Sequence, residues 1–209
     1  YLISPREITA ISALVAKIIN KPVLLGVHGH QPSPKSIIRL FYYQVIWKIT
    51  TLLSREIIFI SKDVKFHFRN DPRIMPLRVG GLVIPDSVDE EMFSYNSVAR
   101  KQIRARLSLN NDFTLLFVGR ITYNKGIYEL IDVCSKLVEE GEKIRLLMIG
   151  SIPNEERRTI QQKIKRNALA DHVTILSSRP NISYYLSSAD LFVLPSWNEG
   201  LGTAMLEAM

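Results

Sequence analysis

Two glutamates, Glu199 and Glu207, flank a turn that contains two glycines, Glu199-Gly200-Leu201-Gly202. Carboxylates repel phosphate but accept hydrogen bonds from hydroxyl groups. Gly200 and Gly202 let a backbone approach a ligand closely, and free N–H groups at the start of a following helix suit an anion. A ligand with hydroxylated groups at both ends and a diphosphate between them satisfies both demands. A nucleotide sugar has that chemistry.

The turn needs a frame that holds it. Residues 191–194 form an apolar run closed by Pro195, and 203–209 read as helix, so the turn joins a buried parallel strand to a helix. Ligands of open α/β sheets sit at such junctions. Upstream, Ser4-Pro5-Arg6-Glu7 reads as a capping box that opens a helix over 5–19. Strands are expected over 22–28, 56–61, 79–85, 113–118, 144–150 and 172–176. Helices are expected between them over 36–53, 61–68, 97–107, 127–140 and 153–167, with a short one at 182–186. This alternation predicts parallel sheets with helices on both faces.

The run Ala189-Asp190-Leu191-Phe192-Val193-Leu194-Pro195-Ser196, followed by Glu-Gly-x-Gly and a second Glu in the spacing E-x7-E, resembles the donor-site signature of family 4 (group 1) retaining glycosyltransferases. The resemblance extends over residues 112–209, and in looser form over 23–89. It implies an α/β fold of GT-B type, two Rossmann-like domains with parallel sheets. Residues 1–88 would be the second half of the acceptor-side domain and 89–209 the first part of the nucleotide-sugar-binding domain. Both would be incomplete, the chain being a fragment lacking both ends. In the family the first Glu, here Glu199, lies against the transferred sugar and the second, here Glu207, holds the ribose hydroxyls. Gly200, Leu201 and Gly202 belong to the same donor loop.

Gly119-Arg120-Ile121-Thr122-Tyr123-Asn124-Lys125-Gly126 matches the family's Gly-Arg, four residues, Lys-Gly, whose Arg and Lys hold the donor diphosphate. The physics agrees, because charge grows on the diphosphate as the glycosidic bond breaks and fixed cations near a helix start stabilise it. His28, in Val27-His28-Gly29-His30, matches a histidine that faces the donor sugar across the family's cleft, whereas a His before Gly taken alone is more often a turn or core residue. Pro85-Asp86-Ser87-Val88-Asp89 resembles the family's Pro-Asn-Gly-Val-Asp but departs at Asp86 and Ser87. Loss of the glycine calls the usual turn geometry into question.

The resemblance implies transfer of a sugar from a nucleotide-sugar donor to a glycan, lipid or other hydroxyl acceptor, with retention of anomeric configuration. The alternative is a truncated or non-catalytic sugar-nucleotide-binding module. No cofactor is expected. The sequence has no Asp-x-Asp, Cys/His cluster or H-E-x-x-H, so no metal site is indicated, and Arg120 and Lys125 would take the metal's place. No G-x-G-x-x-G follows a strand, which argues against a nicotinamide enzyme.

Composition is that of an ordinary globular protein, 46% hydrophobic and 22% charged over 209 residues. The net charge of +7 is uneven: residues 1–110 hold 16 Lys and Arg against 8 Asp and Glu, and residues 111–209 hold 11 against 12. The basic first half favours an anionic partner, an anionic membrane at its periphery among them, with solubility as the plain alternative. Nucleic acid is not expected, since no recognisable basic-aromatic motif is present. The helix over 36–53 has two readings, core packing or a membrane-surface helix carrying Tyr42, Tyr43 and Trp47. The lone Cys134, on an apolar helical stripe, reads as a core residue in a reducing compartment. No apolar run is long enough to span a bilayer. A cytoplasmic location is expected, with the inner membrane face as the alternative.

Overall fold

The computed structural model describes residues 2–3, 7–29, 37–71, 74, 80–109 and 111–209. They form two compact units, Tyr1–Asp86 with Glu199–Leu201 and Ser87–Asn198 with Gly202–Met209. The proline-containing loop at 31–35, His30, and the capping-box residues Ser4, Pro5 and Arg6 lie outside the described residues.

The first unit runs β1 (Leu2–Ile3), α1 (Glu7–Ile18), β2 (Leu24–Val27), α2 (Ile37–Leu53), β3 (Glu56–Phe59), α3 (Lys62–Asn70) and β4 (Leu82–Val83). Its strands are parallel and lie in the order β1-β2-β3-β4. An order that never reverses, with right-handed crossovers, sets successive helices on one face of the sheet. Alternate residues of a strand point to opposite faces. Leu25, Val27, Ile57 and Phe59 accordingly bury against Trp47 of α2 and Val64 and Phe68 of α3. Leu24, Glu56 and Ile58, on the other face, stay partly open. Among the described residues, the helices that pack on this sheet lie on one face. Trp47 and Phe68 meet edge to face at 4.8 Å between ring centroids. The buried hydroxyls of Thr50, Thr51 and Ser54 donate to the carbonyls four residues earlier, which satisfies them inside an apolar layer. β4 is shorter than the strand expected over 79–85, of which Val79 is not described. Its pairing continues only to the Ile84 N–H, which donates to Phe59 O at 2.9 Å, and Pro85 has no N–H to extend it.

The second unit runs α4 (Glu90–Phe93), α5 (Ser97–Arg106), β5 (Phe113–Val118), a 3-10 turn (Tyr123–Lys125), α6 (Ile127–Glu139), β6 (Ile144–Ile149), α7 (Asn154–Arg166), β7 (Val173–Leu176), α8 (Ile182–Ser188), β8 (Leu191–Phe192) and α9 (Thr203–Ala208). All strand pairs are parallel, in the order β7-β6-β5-β8. This order reverses after β7, so the later crossover returns over the opposite face. Leu115 and Phe117 of β5 and Leu146 and Met148 of β6 pack on α6 and α7, with Cys134 fully buried among them. Leu116, Leu147 and Ile149 face the other way, against Ile103 of α5 and Tyr185 of α8. β8 is shorter and less buried than expected. Only Leu191 and Phe192 pair with β5, Leu191 is half exposed, and β8 ends the described sheet as an edge strand.

The basic helix α5 is largely committed to internal pairing. Arg100 Nη2 lies 2.5 Å from Asp190 Oδ1 and Arg104 Nη1 3.1 Å from Asp190 Oδ2, while the Thr114 backbone N–H donates to Asp190 Oδ2 at 2.8 Å. Burial by itself would raise the Asp190 carboxyl. The Thr114 N–H and the two guanidiniums outweigh burial and hold its pKa below the ordinary value. These contacts fasten α5, β5 and the start of β8 together, a role that spacing along the chain does not show.

Candidate functional site

The reversal of strand order places a topological switch point between β5 and β8, and the crevice outside the carboxyl ends of strands at such a point is where open α/β sheets take ligands. The loops that follow β5 and β8 meet there. Gly126 sits in the left-handed region at φ 68°, and a Cβ on it would come within 2.1 Å of Pro195 O. Only glycine fits. The Trp197 N–H donates to Asn124 O at 3.1 Å, and the Tyr123 N–H donates to the Glu156 carboxylate of α7 at 2.7 Å. The segment from Gly119 to Gly126, expected to carry the diphosphate cations, is thus held at both sides.

Arg120 is exposed and lines a pocket of about 300 Å³ in the second unit. Its other walls include Gly119, Gly150 and Ser151 after β5 and β6, and Ser178 and Arg179 after β7. The loops are joined beyond the strands, with the Ile121 N–H donating to Ser151 O at 2.9 Å. Gly150 has φ 156°, and a Cβ there would lie 1.8 Å from Gly119 O, so the backbones close the pocket floor where a side chain would collide. Two guanidiniums on one pocket, with no carboxylate in its lining, favour an anion. Arg179 was not legible as a site residue in the sequence. Its one signal is its place after a strand that ends at the same edge of the sheet as β5. Lys125 is half-buried at the end of the 3-10 turn, on the same loop as Arg120 but outside this pocket.

The segment expected to hold the donor divides between the units: Glu199, Gly200 and Leu201 group with the first, Gly202 and Glu207 with the second. In the first unit a Cβ on Gly200 would lie 2.1 Å from the carbonyl oxygen of His28, so the close approach that needs glycine is to the His28 backbone. Leu201 packs against the apolar cluster that holds Val27. The structure brings His28 and the Glu199–Leu201 segment together. In the second unit Gly202 is buried and begins α9. Glu207 lies on α9, and burial raises its carboxyl above the ordinary range. At the junction, Asp89 caps α4 through Met92 N at 3.1 Å. Positive φ outside glycine occurs among the described residues at Asn20, Ser108 and Ala168, so Ser87 replaces the family's glycine with no positive φ to sustain.

The sequence model of the family described as Glycosyl transferases group 1 matches residues 99–209, more than half of the chain. The chain belongs to that family. Among curated relatives, the capsular polysaccharide biosynthesis glycosyltransferase CapM of Staphylococcus aureus is 27% identical over 95% of this chain and 52% of its own length. The putative teichuronic acid biosynthesis glycosyltransferase TuaC of Bacillus subtilis is 31% identical over 61% of this chain and 30% of its own. Among solved structures, Anabaena HepE in complex with UDP superposes with a TM-score of 0.80 at 18% identity, covering 100% of this chain and 57% of that one. The fold class is that of GT-B glycosyltransferases, α/β with parallel Rossmann-like sheets. The chain spans about half the length of the first of these relatives.

Proposed function

We propose that this chain supplies the donor site of a nucleotide-sugar-dependent glycosyltransferase that retains anomeric configuration. The observation that carries the reading is the pocket at the carboxyl edge of the second sheet, where Arg120 opens from a loop fixed by Gly126 and Pro195. Arg120 and Lys125 receive the donor diphosphate, and Arg179 adds positive charge on the opposite pocket wall. In the transfer the bond from the anomeric carbon to the diphosphate oxygen breaks, the nucleoside diphosphate leaves with the electron pair, and an acceptor hydroxyl oxygen bonds to that carbon. Charge rises on the diphosphate during this step, and preorganised cations bind it more tightly in the transition state than in the ground state. Glu207 accepts hydrogen bonds from the ribose hydroxyls. Glu199 and His28 serve the transferred sugar, with Gly200, Leu201 and Gly202 shaping the loop between the two carboxylates. Because cations occupy the place of a divalent ion, turnover needs no metal and survives a chelator.

Calorimetric titration of the whole enzyme, with both domains complete, with UDP and with GDP tests the donor site. Arg120→Ala and Lys125→Ala should each weaken binding by about 1.5–3 kcal/mol, the range for a hydrogen bond to a charged group. Unchanged affinity in both variants would remove the diphosphate assignment. Configuration is tested separately, by the anomeric coupling constant of the product from the whole enzyme.

A further inference from the structure

Arg120 and Lys125 stand on one loop, and the middle of that loop, Tyr123–Lys125, is a 3-10 turn of three residues. The Lys125 N–H donates to Thr122 O at 3.0 Å and the Gly126 N–H to Tyr123 O at 2.9 Å. A turn that short does not hold itself. Thr122 stands at its N-cap in extended conformation and makes no side-chain cap hydrogen bond. The first N–H of the turn, on Tyr123, donates instead to Glu156 Oε2 at 2.7 Å, from a residue 33 positions further along the chain. The cap that Thr122 does not supply thus comes from another helix.

Glu156 lies in the first turn of α7, where the positive end of the helix dipole favours a carboxylate. The same oxygen accepts a second hydrogen bond, at 3.3 Å, from the Tyr128 hydroxyl of α6. Burial, and after it the Glu156 charge, raises the Tyr128 phenol above its ordinary value, so its O–H stays a donor. One carboxylate joins the 3-10 turn, α6 and α7. The two helices do not depend on it, since Ile127 and Ile131 of α6 and Ile160 of α7 share one apolar core. The turn between the two cations does. Just before that turn the Ile121 N–H donates to Ser151 O, so both contacts come from the segment that follows β6.

We propose that Glu156 is a positioning residue for donor binding: by accepting the Tyr123 N–H it sets the backbone from which Arg120 and Lys125 meet the diphosphate. This role rests on the reading of those two residues as the diphosphate's cations. The physical gain is preorganisation, because cations whose backbone is fixed beforehand lose less freedom when the ligand arrives. Without Glu156 the Tyr123 N–H turns to water and the turn opens more often. Only the closed fraction then binds, and the apparent affinity falls by that fraction. Glu156 is not among the residues that line the Arg120 pocket, so its negative charge acts on the loop and not on the ligand.

Calorimetric titration of the whole enzyme with UDP and with GDP, beside amide hydrogen exchange, tests the role. Glu156→Ala should weaken nucleotide binding about fivefold, the loss of one hydrogen bond. Glu156→Gln, whose amide oxygen still accepts from the Tyr123 N–H, should restore most of the affinity. Exchange should quicken at the Tyr123 N–H in Glu156→Ala and stay unchanged in β5 and β6. In an Arg120→Ala background the same Glu156→Ala change should cost less than it does in the parent, because one of the cations it positions is gone. Parent-like affinity in Glu156→Ala, beside an Arg120→Ala that binds weakly, would overturn the proposal and leave the diphosphate assignment standing. A full and independent loss in the Arg120→Ala background, or no recovery in Glu156→Gln, would overturn it too. Unchanged affinity in Arg120→Ala and Lys125→Ala as well would remove the donor reading, and the positioning role with it.

Discussion

The two units use the same parts, parallel strands and crossover helices, and differ in the order in which the strands lie. In the first, the order β1-β2-β3-β4 keeps its helices on one face, leaving alternate residues of β2 and β3 partly open. In the second, the order reverses to β7-β6-β5-β8 and helices pack on both faces of the sheet. The pocket that holds Arg120 lies beyond the carboxyl ends of β5, β6 and β7. The charges follow the same division. In the second unit Arg100, Arg104, Arg145 and Lys163 are held in ion pairs, and Arg120 and Arg179 line the pocket. The first unit's helices α1 and α2 carry cations at their surface and no acid after Glu7.

The largest expected effect comes from breaking the first unit alone. Trp47→Ala removes the side chain around which α2 and α3 pack and should cost about 3–5 kcal/mol. Hydrogen exchange should show protection lost in β2 and β3 and kept in β5 and β6. Equal loss in both sheets would mean that the units are not separately stabilised.

The converse variant acts on the second unit. Asp190→Ala strands two guanidiniums and the Thr114 N–H, at a cost of about 2–3 kcal/mol, seen as a lower melting temperature of that unit. The pH dependence has a fixed sign. The folded Asp190 pKa lies below its ordinary value of 3.8, so the contribution is present above that pH and is lost as pH falls through the folded pKa. Thermal unfolding in acid should therefore be less pH-dependent in Asp190→Asn than in the parent chain.

A smaller effect separates close approach from backbone conformation within the second unit. Gly150→Ala meets both a φ of 156° and the Gly119 carbonyl, and should cost about 1–3 kcal/mol while weakening nucleotide binding. Gly141 has φ 88° with nothing near, so Gly141→Ala should cost about 1 kcal/mol and leave binding unchanged. Titration calorimetry beside thermal melts distinguishes the two.

The smallest effect concerns Cys134, whose thiol is pushed up to about 11 by burial. At neutral pH it should react with a maleimide only when the second unit opens. Asp190→Ala should speed labelling, and Trp47→Ala should leave it unchanged. Acceleration by Trp47→Ala would couple the two units' stabilities.

Local order was legible because it is written in local periodicity. The strand at 113–118 and the helices at 127–139 and 154–166 follow from apolar spacing, and the Gly119 to Gly126 loop from glycines at a strand-to-helix junction. β1 and β8, with two residues each, are too short to carry a period, and β8 was read as longer and more buried than it is. Trp47 shows the limit of a stripe: an aromatic beside Tyr42 and Tyr43 reads equally as surface anchor or core, and only the sheet beneath decides.

By itself the sequence determined the alternation of strand and helix, the family, the candidate carboxylates Glu199 and Glu207, and the cations Arg120 and Lys125. The tertiary structure decided which sheet is covered on both faces, that Asp190 joins Arg100, Arg104 and Thr114, that Arg179 shares a pocket with Arg120, and that Gly200 is spent on the His28 backbone. The physical reason is range. Periodicity and capping act over a few residues and can be read in order, whereas Asp190 and Arg100 lie ninety positions apart and are brought together only when β8 crosses back to β5.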